Sequence, residues 1–360
     1  MAASGSFHNP ILIVGQGYAG SLLAWMLIKK GYEVTVIDSA PEFSSTKVAA
    51  GIMIPITGRR LAKTHMADQI IPVAQQTYRA IEAATGSSFF IEKKVLQVFS
   101  SPGNLNEWYA RSSEAEMELY CDKILTKEQL HPSVANNYGG ILLRQSGYVE
   151  PINFVENMRS FIQAEGKYLR DDFKITELQL SGTGATWKGI QFSRVVFCEG
   201  YHAMTNPYFS YLPFKPAKGE ILDFVSDELQ DDYIISNSVY ILPLGNSRFR
   251  TGATYVWDDL TEKPTAHGLA YLTENLKSTI RCTFEITGHK AGIRPAIRDR
   301  RPLVGLHPVH KQLGIFNGLG TKGAMVGPYY ANQMAMLIGE NQAPDVDVNI
   351  SRFEALYQEN

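Results

Sequence analysis

Gly15-Gln16-Gly17-Tyr18-Ala19-Gly20 sets three glycines at the spacing G-x-G-x-x-G, and Asp38 closes the apolar run Val34–Ile37 downstream. Together these residues can hold a dinucleotide. Gly15 permits a tight turn, Gly17 lets a pyrophosphate approach the backbone with no Cβ in the way, and Gly20 lets a helix lie close on a strand. The helix N-terminus then faces the anion, and the Asp38 carboxylate accepts both hydroxyls of an adenosine ribose. A glycine-rich turn alone is common. The argument here rests on a strand, the glycines, a helix, a second strand and a terminal acid in register. The pattern does not separate NAD from FAD.

The elements that must position these groups are legible around them. Ile11–Val14 reads as a strand buried on both faces. Ser21–Lys30 carries Leu22, Leu23, Trp25, Met26 and Leu27, with Lys29 and Lys30 in its last turn and Gly31 beyond it, the ending of a helix. Val34–Ile37 supplies the second strand of a βαβ unit.

At 360 residues, with 44% hydrophobic and 19% charged residues, the chain has the composition and length of a globular protein of two domains. Its 34 basic and 36 acidic residues give a net charge of -2, which excludes an overall pull toward nucleic acid or anionic membrane. The three cysteines, Cys121, Cys198 and Cys282, have no C-x-x-C spacing, and the eight histidines no H-x-x-x-H pairing. Neither a disulfide framework nor a metal site is expected. The first residues lack a basic and then apolar leader, and no apolar run reaches transmembrane length, so a cytoplasmic protein is expected.

Further along, Ala49, Ala50 and Gly51 suit a backbone passing close to something flat or charged, with a surface loop as the alternative. Helices are expected over His65–Ala84, Asn104–Leu119, Lys127–Leu130 and Pro151–Glu165, with a strand over Phe89–Phe99. Strands follow near Phe173–Leu180, Gly189–Phe192 and Arg194–Phe197, with a turn at Ser181-Gly182-Thr183-Gly184. The run Cys198-Glu199-Gly200 suits a strand end that approaches a ligand. Between Pro216 and Ala253 the pattern turns to alternation, predicting antiparallel strands at Glu220–Phe224, Tyr240–Leu244 and Phe249–Thr254, the last two joined by a turn at Gly245-Asn246-Ser247. A helix over Ala266–Ile280, a glycine- and proline-interrupted stretch from Lys290, a strand at Leu313–Phe316 and a helix over Tyr330–Ile338 complete the chain. The order βαβ, antiparallel β, then β-loop-helix predicts a discontinuous nucleotide domain with a sheet domain inserted into it.

Ile11–Asp38, Arg194–Gly200, Gly219–Thr254 and Ala291–Pro328 together resemble the D-amino-acid oxidase (DAO) family of flavoproteins, especially its glycine oxidase and sarcosine oxidase branches. The segments AGIRPAIRDRRPLVG and GLGTKGAMVGP carry the resemblance furthest. Gly318–Phe353 is also similar to the flavin domain of the bifunctional enzyme that modifies wobble uridine in tRNA. The resemblance implies an α/β (α+β overall) fold with a Rossmann-type FAD-binding domain over 1–85, 146–205 and 288–360, and a mostly antiparallel β-sheet substrate domain over 86–145 and 206–287. It implies FAD, and oxidation of a C-N bond of an amino acid or related amine by hydride transfer to flavin N5, the imine product then hydrolysing. Part of the sarcosine oxidase branch attaches its flavin to a cysteine near the Arg-Pro segment. Here Ala291, Gly292 and Ile293 stand there, and Cys282 lies well upstream, so non-covalent FAD is expected.

With the resemblance, cofactor contacts are expected at Gly15, Gly17, Tyr18, Ala19, Gly20, Asp38, Ser39, Ala50, Gly51, Met53, Lys174, Glu199, Gly200, Gly292, Gly320, Thr321, Lys322, Gly323 and Ala324. Arg294 falls at the motif position where a guanidinium would fork onto a substrate carboxylate; a structural salt bridge to Asp299 or another acid is its alternative role. Tyr240 resembles the family's substrate-facing tyrosine, though a core strand aromatic would look the same. Lys322 falls where relatives carry a basic residue near the flavin. Arg298, Arg300 and Arg301 with Asp299 read as a solvated turn. No side-chain base is demanded if the neutral amine reacts, and burial beside Arg294 favours that form. Oxygen or an electron carrier would take the electrons. Two other functions are weighed: trimming of a carboxymethylamino group on tRNA, for which Arg59, Arg60 and Lys63 supply basic residues, and a non-catalytic flavin-binding protein. Near-neutral charge disfavours tRNA.

Overall fold

The computed structural model describes residues 10–57, 62–111, 114–135, 138–182 and 184–358. Arg59, Arg60 and Thr183 lie outside the described residues.

Runs of β-branched and aliphatic side chains build the centre of the first sheet, where Ile11–Val14 and Val34–Ile37 are buried on both faces. Its order is Lys167–Leu169, Val34–Ile37, Ile11–Val14, Arg194–Phe197, Leu313–Asn317 and Leu303–Leu306. The first five are parallel and the last antiparallel. The chain therefore winds outward in both directions from Ile11–Val14. The carboxyl ends of Ile11–Val14 and Arg194–Phe197 lie side by side at that switch point, where an open α/β sheet leaves a crevice. Helices Tyr18–Lys29 and Gly323–Glu340 pack together over the sheet, and Leu22, Leu23 and Leu27 have no exposed surface.

The second sheet has eight strands in the order Glu285–Arg294, Ala217–Val225, Arg248–Gly252, Tyr240–Gly245, Ile234–Ser236, Val95–Val98, Gly140–Leu143 and Cys121–Leu125. All neighbours are antiparallel except Ile234–Ser236 with Val95–Val98. The antiparallel strands expected between Pro216 and Ala253 are all present, and Asn246 and Ser247 take left-handed φ angles of 53° and 54° in the turn between the last two. Among the described residues, no helix is long and apolar enough to cross a membrane.

Several elements differ from expectation. Phe89–Phe99 is two strands, Phe90–Glu92 and Val95–Val98, in different sheets, broken at Lys93 and Lys94. Asn104–Leu119 is split between helices Pro102–Arg111 and Ala115–Glu118. Lys127–Gln129 is a single 3-10 turn. Phe173–Leu180 is strand only from Leu178, after a 3-10 turn at Ile175–Glu177, and it pairs with an unanticipated strand, Gly184–Trp187. The stretch at Lys290, interrupted by glycine, is the end of the ten-residue strand Glu285–Arg294.

The last long helix begins at Gly323, well before Tyr330. Gly327 and Pro328 hide its first turns in the sequence. A Cβ at Gly327 would sit 2.6 Å from Leu22 Cδ1, so the glycine is the contact point of the two helices. Pro328 cannot donate to the Ala324 carbonyl four residues back. The Tyr78 hydroxyl donates to it instead, at 2.5 Å.

Candidate active site

A cavity of about 940 Å³ follows the carboxyl edge of the parallel sheet and continues onto the antiparallel sheet, lined by residues of both. Its size is that of a cofactor and substrate site.

At the parallel-sheet end, Gly15 has φ +99°, and a Cβ there would sit 2.5 Å from the Cys198 carbonyl oxygen. Gly20 closes the turn, since its Cβ would lie 1.8 Å from the Gly15 carbonyl oxygen. Helix Tyr18–Lys29 starts at Gly17, which has no side chain to cap it, so amide groups beyond that of Tyr18 remain for a ligand. Thr46 Oγ1 accepts from the Tyr18 amide at 3.2 Å and would stand 2.8 Å from a Cβ at Gly17. Asp38 is held by two amides, its Oδ2 accepting from Gln16 and its Oδ1 from Ala40, both at 2.7 Å. The Gln16 side chain donates to the Val155 carbonyl at 2.8 Å and accepts from Arg159 Nε at 2.9 Å, which fixes a guanidinium at the cavity wall. A helix start with free amides, glycines that admit no Cβ and an oriented acid fit a dinucleotide flavin.

Glu199 lines the same end and accepts from Asn206 Nδ2 at 2.9 Å. Burial pushes its carboxyl up to about 7. The folded protein therefore holds this proton more tightly than the unfolded chain, whose glutamate titrates near 4.5. The resulting stability is complete below pH 4.5 and is lost as pH rises through about 7. In thermal melts of the apoprotein, Glu199→Gln is expected to flatten the decline in Tm across that window.

At the antiparallel end, Arg294 is half-buried. Its Nη1 donates to the Lys218 carbonyl at 3.2 Å and the Thr254 carbonyl at 3.1 Å, and its guanidinium carbon lies 5.0 Å from the centre of the Tyr255 ring. No carboxylate pairs with it among the described residues, and Asp299, its alternative partner, binds Arg352 Nε at 2.9 Å. Burial lowers its pKa, but from so basic a starting point that it stays charged. A charged fork with free edges in a cavity can receive a carboxylate.

Gly219 makes room for it: a Cβ there would meet Arg294 Nη2 at 2.0 Å. Gly219→Ala should displace the guanidinium and raise KM for a carboxylate substrate roughly tenfold, with less change in kcat. Opposite Gly252 in the sheet, Tyr240 turns its hydroxyl to the cavity with no protein partner among the described residues. Burial pushes that hydroxyl up to about 12, so it remains a donor at neutral pH. Lys322, immediately before helix Gly323–Glu340, donates to Thr64 Oγ1 at 3.0 Å, and burial lowers its pKa.

Of the residues singled out in the sequence, Gly15, Gly17, Tyr18, Ala19, Asp38, Ser39, Ala50, Gly51, Glu199, Gly200, Tyr240, Gly292, Arg294, Gly320, Thr321, Lys322, Gly323 and Ala324 line this one cavity. Gly20 stands behind it as the helix-to-strand contact. Two of the expected contacts lie outside the cavity lining. Lys174 does not line the cavity: the chain bends rather than runs as a strand there, so Asp171, Asp172 and Phe173 face the cavity, and the Lys174 carbonyl caps the 3-10 turn. Met53 is 1% exposed and points into the core, while Ile52 and Ile54 line the wall.

Arg159, Thr46 and Gly219 were not anticipated. A lone glycine in an alternating strand marks a close approach, so Gly219 carried a usable signal. Arg159 and Thr46 carried none, being ordinary surface types on helices.

The FAD dependent oxidoreductase (DAO) family model matches residues 10–337. Among curated proteins, the tRNA 5-methylaminomethyl-2-thiouridine biosynthesis bifunctional protein of Haemophilus ducreyi is 23% identical, covering 94% of this chain and 57% of that protein. The chain thus spans little more than half the length of that relative. Glycine oxidase of Bacillus subtilis is 20% identical over 89% of this chain and 90% of its own. Among solved structures, glycine oxidase of Geobacillus kaustophilus superposes with a TM-score of 0.80 at 18% identity, covering 99% of this chain and 100% of that one, and shares its fold. The glycine-rich βαβ crevice thus stands within a match that runs nearly end to end, and the chain belongs to the DAO family of FAD-dependent oxidoreductases.

Proposed function

We propose that the protein oxidises the C-N bond of a carboxylate-bearing amine, an amino acid or a close relative. The observation that carries this reading is Arg294: a half-buried guanidinium without an acidic partner among the described residues, held by two backbone carbonyls in the cavity wall. Its remaining donors bind the two oxygens of the substrate carboxylate. Tyr240 donates a further hydrogen bond to that group. Fixed at one end, the substrate presents its α-carbon in one orientation, and positioning of this kind accounts for most of what the protein must do. The positive charges of Arg294 and Lys322 favour the uncharged amine, the form with a free lone pair.

FAD would be held along Gly15–Gly20, Asp38, Gly51 and the Gly320–Ala324 turn, with the amides at the start of helix Gly323–Glu340 favouring negative charge. When bound, the flavin supplies an acceptor for the hydride of the substrate α-carbon. The imine product takes up water, its C=N bond breaks, and a 2-oxo acid or aldehyde is released together with ammonia or an amine. Oxygen or an electron carrier is the final acceptor. Attachment is non-covalent in this reading. Cys282 sits beside Ser226 Oγ in another part of the sheet, and burial pushes the Cys198 thiol up, away from the reactive thiolate. The proposed domain division assigns the parallel sheet to one domain and most of the antiparallel sheet to the other, with strand Glu285–Arg294 spanning the 287/288 border and Phe90–Glu92 pairing across the division.

A direct test compares glycine with methylamine, and sarcosine with dimethylamine, as reductants of the flavin-loaded protein. The reading requires kcat/KM to favour the carboxylate member of a pair at least about a hundredfold; equal rates would remove Arg294 from its role. A second reading, an amine carried on a tRNA base, draws on the exposed Tyr255 and Trp257, whose rings meet at 4.9 Å beside Lys215 at the cavity mouth. Salt-dependent tRNA binding would favour it.

A further inference from the structure

We propose that Lys218 is a positioning residue: its buried ammonium latches the segment Thr254–Thr261 onto the sheet, and that latch sets Arg294 for a carboxylate. The inference rests on the role proposed for Arg294 above.

Lys218 has no exposed surface, which is unusual for lysine. Its side chain points away from the face on which its neighbour Gly219 receives Arg294, as alternation along a strand requires. Its Nζ donates to Asp259 Oδ2 at 2.5 Å and to Thr261 Oγ1 at 3.2 Å. Asp259 in turn accepts from the Thr261 amide and hydroxyl at 2.8 and 2.7 Å. Backbone bonds join the same partners, Lys218 N to Val256 O at 2.7 Å and Val256 N to Lys218 O at 3.0 Å.

The two carbonyls that hold Arg294 Nη1 belong to Lys218 itself and to Thr254, one on each side of this latch. Tyr255, which stacks on the guanidinium, is the next residue of the latched segment. Backbone bonds tie Thr254 to Glu220 and Val256 to Lys218, and the Lys218–Asp259 pair fixes the rest of the segment, so two of the guanidinium's supports stand on a segment that this latch completes. A buried ammonium costs desolvation energy that an apolar side chain would avoid. Its benefit here is geometry.

The test is calorimetric titration of the flavin-loaded protein with sodium benzoate, a carboxylate probe, and with benzylamine, a probe of similar shape without one. Lys218→Met fills the same volume with an apolar chain and is compatible with folding. Asp259→Asn changes a partly exposed group and gives an independent variant. Each is expected to weaken benzoate binding roughly tenfold and leave benzylamine unchanged, and the double variant to be no weaker than Lys218→Met. Steady-state kinetics should show the loss in KM rather than kcat. Wild-type benzoate affinity in both variants, with Arg294→Ala defective, overturns the latch and leaves the carboxylate reading standing. Equal losses for both probes would mark a general structural role and also overturn it. Unchanged benzoate binding in Arg294→Ala would remove the carboxylate reading and the latch together.

Discussion

Arg294→Ala should lower kcat/KM for an amino-acid substrate on the order of a hundred- to a thousandfold, the cost of removing one partner from a buried, hydrogen-bonded charge pair. The loss should be confined to substrates that carry a carboxylate. The flavin spectrum and the melting temperature should change little, because among the described residues Arg294 supports no other side chain by hydrogen bonding: it donates to the backbone carbonyls of Lys218 and Thr254. Arg294→Lys should recover only part of the activity. A lysine ammonium keeps the charge but loses the planar fork that meets both oxygens. Rapid-reaction measurement of flavin reduction at saturating substrate would separate lost binding from lost orientation.

Gly20→Ala should abolish tight FAD binding. Within helix Tyr18–Lys29 an alanine would ordinarily be favoured over glycine by about 1 kcal/mol. Here its Cβ would stand 1.8 Å from the Gly15 carbonyl oxygen and 3.3 Å from Ile13 Cγ2, and the first of these contacts is backbone that no rotamer change can relieve. The helix must lift from the strand and carry its N-terminus away from the cavity. Equilibrium dialysis of FAD against the apoprotein is expected to show affinity reduced at least about a hundredfold. Gly31→Ala is the control. Its φ of +85° strains the variant, but nothing lies within 4 Å of the new Cβ, so FAD affinity should stay as in the wild type.

The nucleotide end of the site was readable in the sequence because its constraints are local. Gly15, Gly17, Gly20 and Asp38 sit within one βαβ unit, each required by backbone geometry at fixed spacing. The antiparallel strands from Ala217 to Gly252 were equally plain, since a sheet with distinct faces writes its alternation into the chain. The position of Arg294 and its expected carboxylate came through resemblance, and its surroundings did not. That it has no acidic partner among the described residues, lies over Gly219 and rests on Thr254 depends on contacts between segments far apart in sequence.

The misread elements have the same origin. Helix Gly323–Glu340 contains Gly327 and Pro328, which a local reading takes as breakers. Leu22 and Tyr78, from elsewhere in the chain, make both acceptable. Lys174 was expected at the cofactor with the resemblance, and Phe173–Leu180 was read as a strand. The bend before the 3-10 turn brought its neighbours to the cavity in its place.

The most direct test of the central claim is the visible spectrum of the purified protein, kept anaerobic, while glycine, sarcosine, D- and L-amino acids and polyamines are added in turn. An oxidised flavin spectrum that bleaches with a carboxylate-bearing amine, and not with the polyamines, is the expected result. A flavin spectrum that no amine bleaches, or no flavin bound even after FAD is added, would contradict it.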